Sequence, residues 1–276
     1  MLINCRGKLL DLSKPVVMGI LNMTPDSFYE GSRIKTPKKL LQQVEMMLEE
    51  GATILDIGGA SSRPGAALIS VEEERKRVIP AIELIRQYFP NVFISIDTYR
   101  ATITKEAIQA GVHLVNDISA SSIDKDLLEV VAQHKVPYVL MHMQGKPQNM
   151  QDQPVYADEL TEVLDFFIQK IALLKEKGIQ DIILDVGFGF GKTLEHNYRL
   201  LNNLNIYQIL NLPMLVGISR KSMIWKLLGN SPQEALNGTT ALHMIALQQG
   251  AHILRVHDVK AAQEAIQLHS MLLNNL

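Results

Sequence analysis

Short, nearly continuous apolar runs recur eight times along the chain, at roughly residues 16–21, 53–57, 92–96, 112–115, 136–141, 181–184, 213–218 and 252–256. Val, Ile and Leu dominate them with little polar alternation, the pattern of strands buried on both faces of a parallel sheet. Each run stops at or beside a polar residue: Asn22, Asp56, Asp97, Asn116, His142, Asp185, Ser219 and His257. Helix-type sequence follows each stop. Thr36-Pro37 opens the first such segment, with Leu40, Leu41, Val44, Met47 and Leu48 at three- and four-residue spacing and Gly51 as its end. Residues 71 to 88 begin with Glu72-Glu73-Glu74, which reads as a solvated acidic helix start, and contain Pro80, which predicts a kink or two pieces. Further helices are expected at roughly 101–110, 124–134, 157–177, 195–210, 232–249 and 259–273, with Gly111, Gly178 and Gly250 where helix C-terminal glycines belong.

Eight strand–helix units are the number that closes a (β/α)8 barrel, and such barrels carry their chemistry at the carboxyl ends of the strands. The expected architecture is α/β, a single (β/α)8 TIM barrel domain over residues 1–276. Side chains two apart on a strand share a face. Ile20 then lies beneath Asn22, Ser95 beneath Asp97, Leu114 beneath Asn116, Ile183 beneath Asp185 and Arg255 beneath His257. This parity predicts a polar mouth over an apolar floor, containing Asn22, Asp56, Asp97, Asn116, Asp185, Lys221, Arg255 and His257. A lone Asn or Asp at a strand end can be a helix cap. Eight strand ends of this kind are not explained by capping alone, and a buried Arg255 costs several kcal/mol unless it is paired. Two segments on the same face, Asn22 to Lys35 and Gly58 to Ser70, are longer than a tight βα turn needs and read as binding loops.

Composition narrows the function. The hydrophobic share of 47% supplies a large core, and the net charge of −2 gives no bulk attraction for nucleic acid or an anionic membrane. No apolar stretch reaches the ~18 residues of a membrane span. Residues 1–15 carry Arg6, Lys8, Asp11 and Lys14 and do not resemble a signal peptide. Cys5 is the single cysteine, which excludes an intrachain disulfide framework and a thiolate metal cluster. A soluble cytoplasmic protein that binds small molecules is the expectation. The run Gly187-Phe188-Gly189-Phe190-Gly191-Lys192-Thr193 is not a Walker loop, because Val186 stands where its first glycine belongs, and the G-x-G-x-G spacing is not a dinucleotide fingerprint. It reads as a glycine-rich turn beside Asp185, either a steric turn or a backbone that approaches a flat ligand, with Phe190 available for stacking. The eight histidines show no zinc spacing.

With Asn22-Met23-Thr24-Pro25-Asp26-Ser27-Phe28 the chain begins to resemble the dihydropteroate synthase family of pterin-binding barrels. The resemblance continues in Asp56-Ile57-Gly58-Gly59 with Arg63-Pro64-Gly65, Ser95-Ile96-Asp97-Thr98, Asn116-Asp117, Met141-His142-Met143-Gln144-Gly145, Asp185 with Gly187 to Lys192, Ser219-Arg220-Lys221-Ser222 and Arg255-Val256-His257-Asp258. It implies condensation of 6-hydroxymethyl-7,8-dihydropterin diphosphate with 4-aminobenzoate to give 7,8-dihydropteroate and pyrophosphate. By residue matching, Asp185 takes the pterin edge, Asn116 and Asp97 read the rest of it, Met141 packs on it, Lys221 donates to it and Arg255 stacks over it. Asn22, Arg63, Arg255 and His257 match diphosphate-handling positions, with Mg2+ near Asn22. Phe28, Ser62, Arg63 and Pro64 of the two long loops close on 4-aminobenzoate, with Phe190, Lys221 and Ser222 beside it. Asp97, Asp185 and Lys221 are the catalytic candidates; Asp56 is counted with the substrate-binding residues, and for it and His142 support of the loops that follow them is the alternative. The resemblance also implies a homodimer.

Three positions depart from the family pattern. Ala60 stands for a usual Glu, Ser62 for a usual Thr, and Val186 for a usual Pro. The first two leave the ordering of the second loop and its hold on the second substrate open. Two other readings are weighed beside the synthase. A pterin-dependent methyltransferase keeps the pocket but has no use for the first-loop motif or the Arg255/His257 pair. A catalytically silent pterin-binding homologue is favoured only by the altered second loop.

Overall fold

The computed structural model describes residues 1–23, 35–60, 69–145 and 154–273. Phe28, Ser62, Arg63 and Pro64 lie outside the described residues. Eight strands, β3 (Val16–Asn22), β4 (Ala52–Gly58), β5 (Phe93–Asp97), β6 (Leu114–Asp117), β7 (Tyr138–Met141), β8 (Ile182–Asp185), β9 (Leu215–Val216) and β10 (Ile253–Val256), form one parallel sheet in the order β8-β7-β6-β5-β4-β3-β10-β9. An isolated parallel bridge between Leu184 and Met214, with Leu184 N–H donating to Pro213 O at 2.8 Å, joins the two edges. The result is the expected (β/α)8 TIM barrel.

The helices α1 (Lys35–Glu49), α2 (Val71–Tyr88), α3 (Ala101–Ala110), α4 (Leu127–His134), α5 (Glu159–Glu176), α6 (Leu194–Asn202), α7 (Ser222–Leu228), α8 (Leu236–Gln248) and α9 (Val259–Leu273) follow the strands. Their apolar stripes pack on the outward-facing strand residues, such as Val17, Leu55, Ile94, Val115 and Leu184, in one continuous core. The inward-facing residues form a separate layer lower in the barrel. Met18, Ile54, Phe93, Leu114, Val139, Ile183, Leu215 and Ile253 supply one side chain from each strand. Beneath them sits an antiparallel hairpin of β1 (Leu2–Cys5) and β2 (Lys8–Asp11), whose Ile3, Cys5 and Leu10, with Leu12 just beyond, fill the amino-terminal end. The hairpin is not foreseen in the sequence reading, and its two strands are four residues each.

Several expectations are corrected. Pro80 neither breaks nor splits α2, which runs unbroken from Val71 to Tyr88. Pro80 is on the exposed face, while Val78, Ala81, Ile82 and Ile85 stay packed; the carbonyl that proline leaves without a partner therefore faces solvent. Glu74 is not a solvated helix-start residue. It is buried, accepting from Thr98 Oγ1 at 2.7 Å and Arg100 at 2.9 Å, because its position four before Val78 puts it on the packed face. The segment 195–210 ends as α helix at Asn202 and continues as a 3-10 helix over Leu204–Leu210, and 232–249 divides into a 3-10 turn at Pro232–Glu234 and α8. The apolar run 213–218 yields only two strand residues, and α7 follows it unpredicted.

Candidate active site

Two residues beyond the apolar layer, the inward positions become polar. Asp56, Ser95, Asp97, Asn116 and Asp185 line the carboxyl end of the barrel with Arg255, as parity requires. Arg255 bridges the two sides. Its Nε donates to Asp56 Oδ2 at 2.6 Å and a terminal nitrogen donates to Asp97 Oδ2 at 2.6 Å. Asn116 Nδ2 donates to the same Asp56 oxygen at 3.0 Å. Asp56 is fully buried and holds a cation and an amide from below. Charge-assisted bonds of this kind are about twice as strong as neutral ones, so the guanidinium plane and the Asn116 amide are fixed in advance.

Asp185 accepts from the Gly187 N–H at 2.7 Å. Burial raises its pKa, opposed by Lys221, the Gly187 N–H and Arg255. Burial likewise raises Asp97, which Arg255 pulls back and Asp56 pushes further up. On the cationic side burial lowers Lys221 to about 8, with Asp185 opposing the shift. Lys221 Nζ donates to Phe188 O and stands 4.7 Å from the centre of the Phe190 ring. Gly217 adds no side chain beside Lys221 and Arg255, which keeps that part of the mouth open. Met141, Phe190 and Ile118, with Tyr99 and Met143 against them, make one apolar wall. A flat ligand here would meet carboxylates and an amide at its edge and thioether and aromatic surface on its face.

At the rim, where β3 and β10 lie side by side, Asn22 and His257 are exposed. His257 Nδ1 is 3.2 Å from Ser219 Oγ, and Ser219 Oγ accepts the His257 N–H at 3.2 Å. Arg220, at a left-handed φ of 54°, ties the two loops with a bidentate pair to Asp258, both bonds 2.8 Å. Ser222 begins α7 directly after Lys221. Among the described residues no group of three or more His, Cys, Asp or Glu side chains could hold a metal ion. The neutral Asn22 amide, beside Gly58, suits a Mg2+ that keeps water and phosphate oxygens as its main ligands. It does not suit a metal held by protein alone.

The structure therefore gathers Asn22, Asp56, Asp97, Asn116, Met141, Asp185, Phe190, Lys221, Ser222, Arg255 and His257 at one end of the barrel. Sequence reasoning missed the supporting groups. Glu74 could have been found from its helical spacing. Lys192 and Asn197, which brace the glycine-rich turn, carried no signal beyond a lysine closing a glycine run.

These features define a barrel enzyme with a flat-heterocycle pocket, and comparison with known proteins agrees. The family described as pterin binding enzyme matches residues 18–257. The dihydropteroate synthase of Escherichia coli strain K12 is 49% identical over 265 residues, covering 95% of this chain and 93% of that protein. That of Haemophilus influenzae is 44% identical over 264 residues, covering 95% of each. A crystal structure of Yersinia pestis dihydropteroate synthase with a sulfonamide drug complex superposes with a TM-score of 0.93 at 46% identity, covering 99% of this chain and 100% of that one. The Xanthomonas albilineans dihydropteroate synthase with 4-aminobenzoic acid superposes at 0.91 and 39% identity, covering 99% and 98%. The chain belongs to the dihydropteroate synthase family, transferases of folate biosynthesis within the pterin-binding enzymes.

Proposed function

We propose that this chain joins 6-hydroxymethyl-7,8-dihydropterin diphosphate to 4-aminobenzoate, releasing 7,8-dihydropteroate and pyrophosphate, with the residues at the barrel mouth in the following roles. The observation that carries the reading is the prearranged network of Asp56, Asp97, Asn116 and Arg255 facing Asp185 and Lys221 over an apolar floor. Asp185 accepts adjacent N–H donors of the pterin edge, a bidentate charged contact. Asn116 has its Nδ2 committed to Asp56, so it offers its carbonyl oxygen to the ring. Lys221 supplies a donor, and Met141 packs on the ring face.

Arg255, anchored by Asp56 and Asp97, supplies the cation that covers the ring and meets the diphosphate, with His257 and Asn22 at its outer end; the family resemblance assigns Arg63, outside the described residues, to the same group. Mg2+ bound to the diphosphate would neutralise leaving-group charge, with Asn22 as its protein donor. The C–O bond breaks with its electron pair going to the diphosphate, and Asp97 and Asp185 stabilise the positive charge left on the pterin methylene. The amine lone pair of 4-aminobenzoate then forms the new C–N bond, and the nitrogen gives up one proton to water to leave the neutral amine of 7,8-dihydropteroate. Phe190 and Lys221 border the benzoate ring and Ser222 receives its carboxylate; the family resemblance assigns Phe28, Ser62, Arg63 and Pro64, which lie outside the described residues, to the same substrate. The test is pyrophosphate release by purified protein given both substrates and Mg2+. Stoichiometric release with dihydropteroate supports the reading; folded protein that never releases pyrophosphate ends it and favours a silent pterin-binding homologue.

We further infer a homodimer. Leu227 and Leu228 of α7 and Leu268, Met271, Leu272 and Leu273 of α9 are more than half exposed, and both helices pack on α8, so apolar surface accumulates on one side of the barrel. Light scattering should give twice the chain mass, falling to one chain in a Leu228→Asp/Leu272→Asp variant. A cytoplasmic setting is consistent with the single cysteine, Cys5, which is buried as a free thiol. Among the described residues no helix is long and apolar enough to cross a membrane.

A further inference from the structure

Lys192 is a buried cation beside the mouth that no step above uses. Its side chain is 3% exposed. Nζ donates to Gly187 O and Phe190 O, each at 3.1 Å, lies 3.0 Å from His142 Nδ1, and reaches His142 O at 3.4 Å. An ammonium has three protons and no acceptor, so these contacts occupy it fully, and every acceptor among them is a neutral dipole.

The six residues from Gly187 to Lys192 thus close on themselves. The backbone turns through left-handed conformations at Gly187, Gly189 and Gly191, with φ of 70°, 79° and 63°. A Cβ on Gly187 would lie 1.9 Å from His142 O, and one on Gly191 2.3 Å from Gln144 O. The turn therefore lies flush on the segment that follows β7; within it Gly187 O accepts the Phe190 N–H at 3.0 Å. Buried carbonyls need donors, and from one atom Lys192 reaches Phe190 O and His142 O and adds a second donor to Gly187 O. On the far side Asn197 accepts the Gly189 N–H at 2.7 Å and donates to Thr193 O. From this braced turn two groups face the mouth: the Phe190 ring, and the Phe188 carbonyl that receives Lys221.

We propose that Lys192 is a positioning residue: by gathering the carbonyls of Gly187 and Phe190 it sets the Phe190 ring at the place where the second substrate meets the pterin. The proposal rests on Phe190 bordering 4-aminobenzoate. Asp185 and Asn116 stand on strands, and the turn touches the pterin-binding groups only through the Gly187 N–H to Asp185 and the Phe188 carbonyl to Lys221, two atoms that Lys192 does not contact.

Lys192→Met keeps the aliphatic stem and removes the donors. Steady-state kinetics with each substrate varied in turn should show KM for 4-aminobenzoate rising at least tenfold, while calorimetry shows the Kd for the pterin diphosphate moving less than threefold. The double variant Lys192→Met/Phe190→Ala should raise that KM no further than Phe190→Ala alone, since both act through one ring. Equal losses for the two substrates, an unchanged 4-aminobenzoate KM, or multiplicative effects would overturn the proposal. If Lys192→Met does not fold, Lys192→Gln, which keeps two donors, is measured instead and must show the same split at smaller size. Phe190→Ala separates the two ideas: if it leaves the 4-aminobenzoate KM unmoved, the reading of the site has failed, whereas a raised KM there with none in the Lys192 variant overturns the Lys192 proposal alone.

Discussion

Asp56 and Asp185 are both buried carboxylates at strand ends, yet they do opposite work. Asp56 spends one oxygen on Arg255 and Asn116 and is closed off from the mouth, while its other oxygen has no hydrogen-bond partner among the described residues. Asp185 has the Gly187 N–H on one oxygen and faces the pocket. Removing the first takes away a support and removing the second takes away a contact. Asp56→Ala should lower unfolding stability by about 1.5–3 kcal/mol, the usual effect of losing a charged hydrogen bond, and should cut turnover because Arg255 and Asn116 lose their fixed orientation. Urea unfolding beside an activity assay reads both. Asp185→Asn and Lys221→Ala should instead leave the far-UV circular dichroism unchanged and weaken pterin affinity roughly ten- to hundredfold, which follows from the same ~1.5–3 kcal/mol acting on binding. Calorimetry with the pterin diphosphate checks this, and unchanged affinity in either variant would remove that residue from the pocket.

Among the elements, the hairpin β1–β2 and the carboxyl-end loops occupy opposite ends of one barrel, so their effects on stability and catalysis should separate. Leu10 is 1% exposed and packs under the apolar layer. Leu10→Ala should lower stability by about 2–5 kcal/mol, the range for truncating a buried leucine, with both substrate KM values unchanged. Chemical denaturation and kinetics on the same preparation decide it. The same division governs what was legible in the sequence. The eight parallel strands announce themselves because burial on both faces demands uninterrupted Val, Ile and Leu, and the mouth residues because polar groups at strand ends break those runs. The hairpin was silent: each strand has four residues, and Arg6, Lys8 and Asp11 mask the inward Ile3, Cys5 and Leu10. Lys192 was silent for another reason. Its partners are main-chain carbonyls, which leave no mark on residue type, and only the three left-handed glycines it braces show at all. Pro80 misled because a rule about helix interiors does not see which face is wet.

Across the whole molecule, burial of titratable groups sets how stability responds to acid. Burial lowers the pKa of His142 to about 2, with the Lys192 charge adding to the shift, and lowers His113 and His243 to about 4. Each is neutral in the folded chain and becomes protonated in the unfolded chain below about 6.5. Between those values the unfolded state binds more protons, so stability from these groups rises with pH and is lost as pH falls. Burial also raises Asp97, Asp185, Asp117 and Glu74, and these act in the opposite sense, so the net slope of the native protein is smaller than three histidines alone would give. A difference measurement isolates one group. His142→Gln loses the ring nitrogen facing Lys192 Nζ and should be less stable than the native chain at pH 7.5. On acidification it lacks one buried histidine's proton linkage, worth about 1.4 kcal/mol per pH unit. By pH 5 the gap should therefore have closed by about 2 kcal/mol, because the native chain alone bears the cost of keeping that ring neutral. Urea unfolding of both proteins at pH 7.5, 6.0 and 5.0 measures the convergence, and curves that stay parallel would mean that His142 is charged in the fold and that its contact with Lys192 Nζ is not the one described.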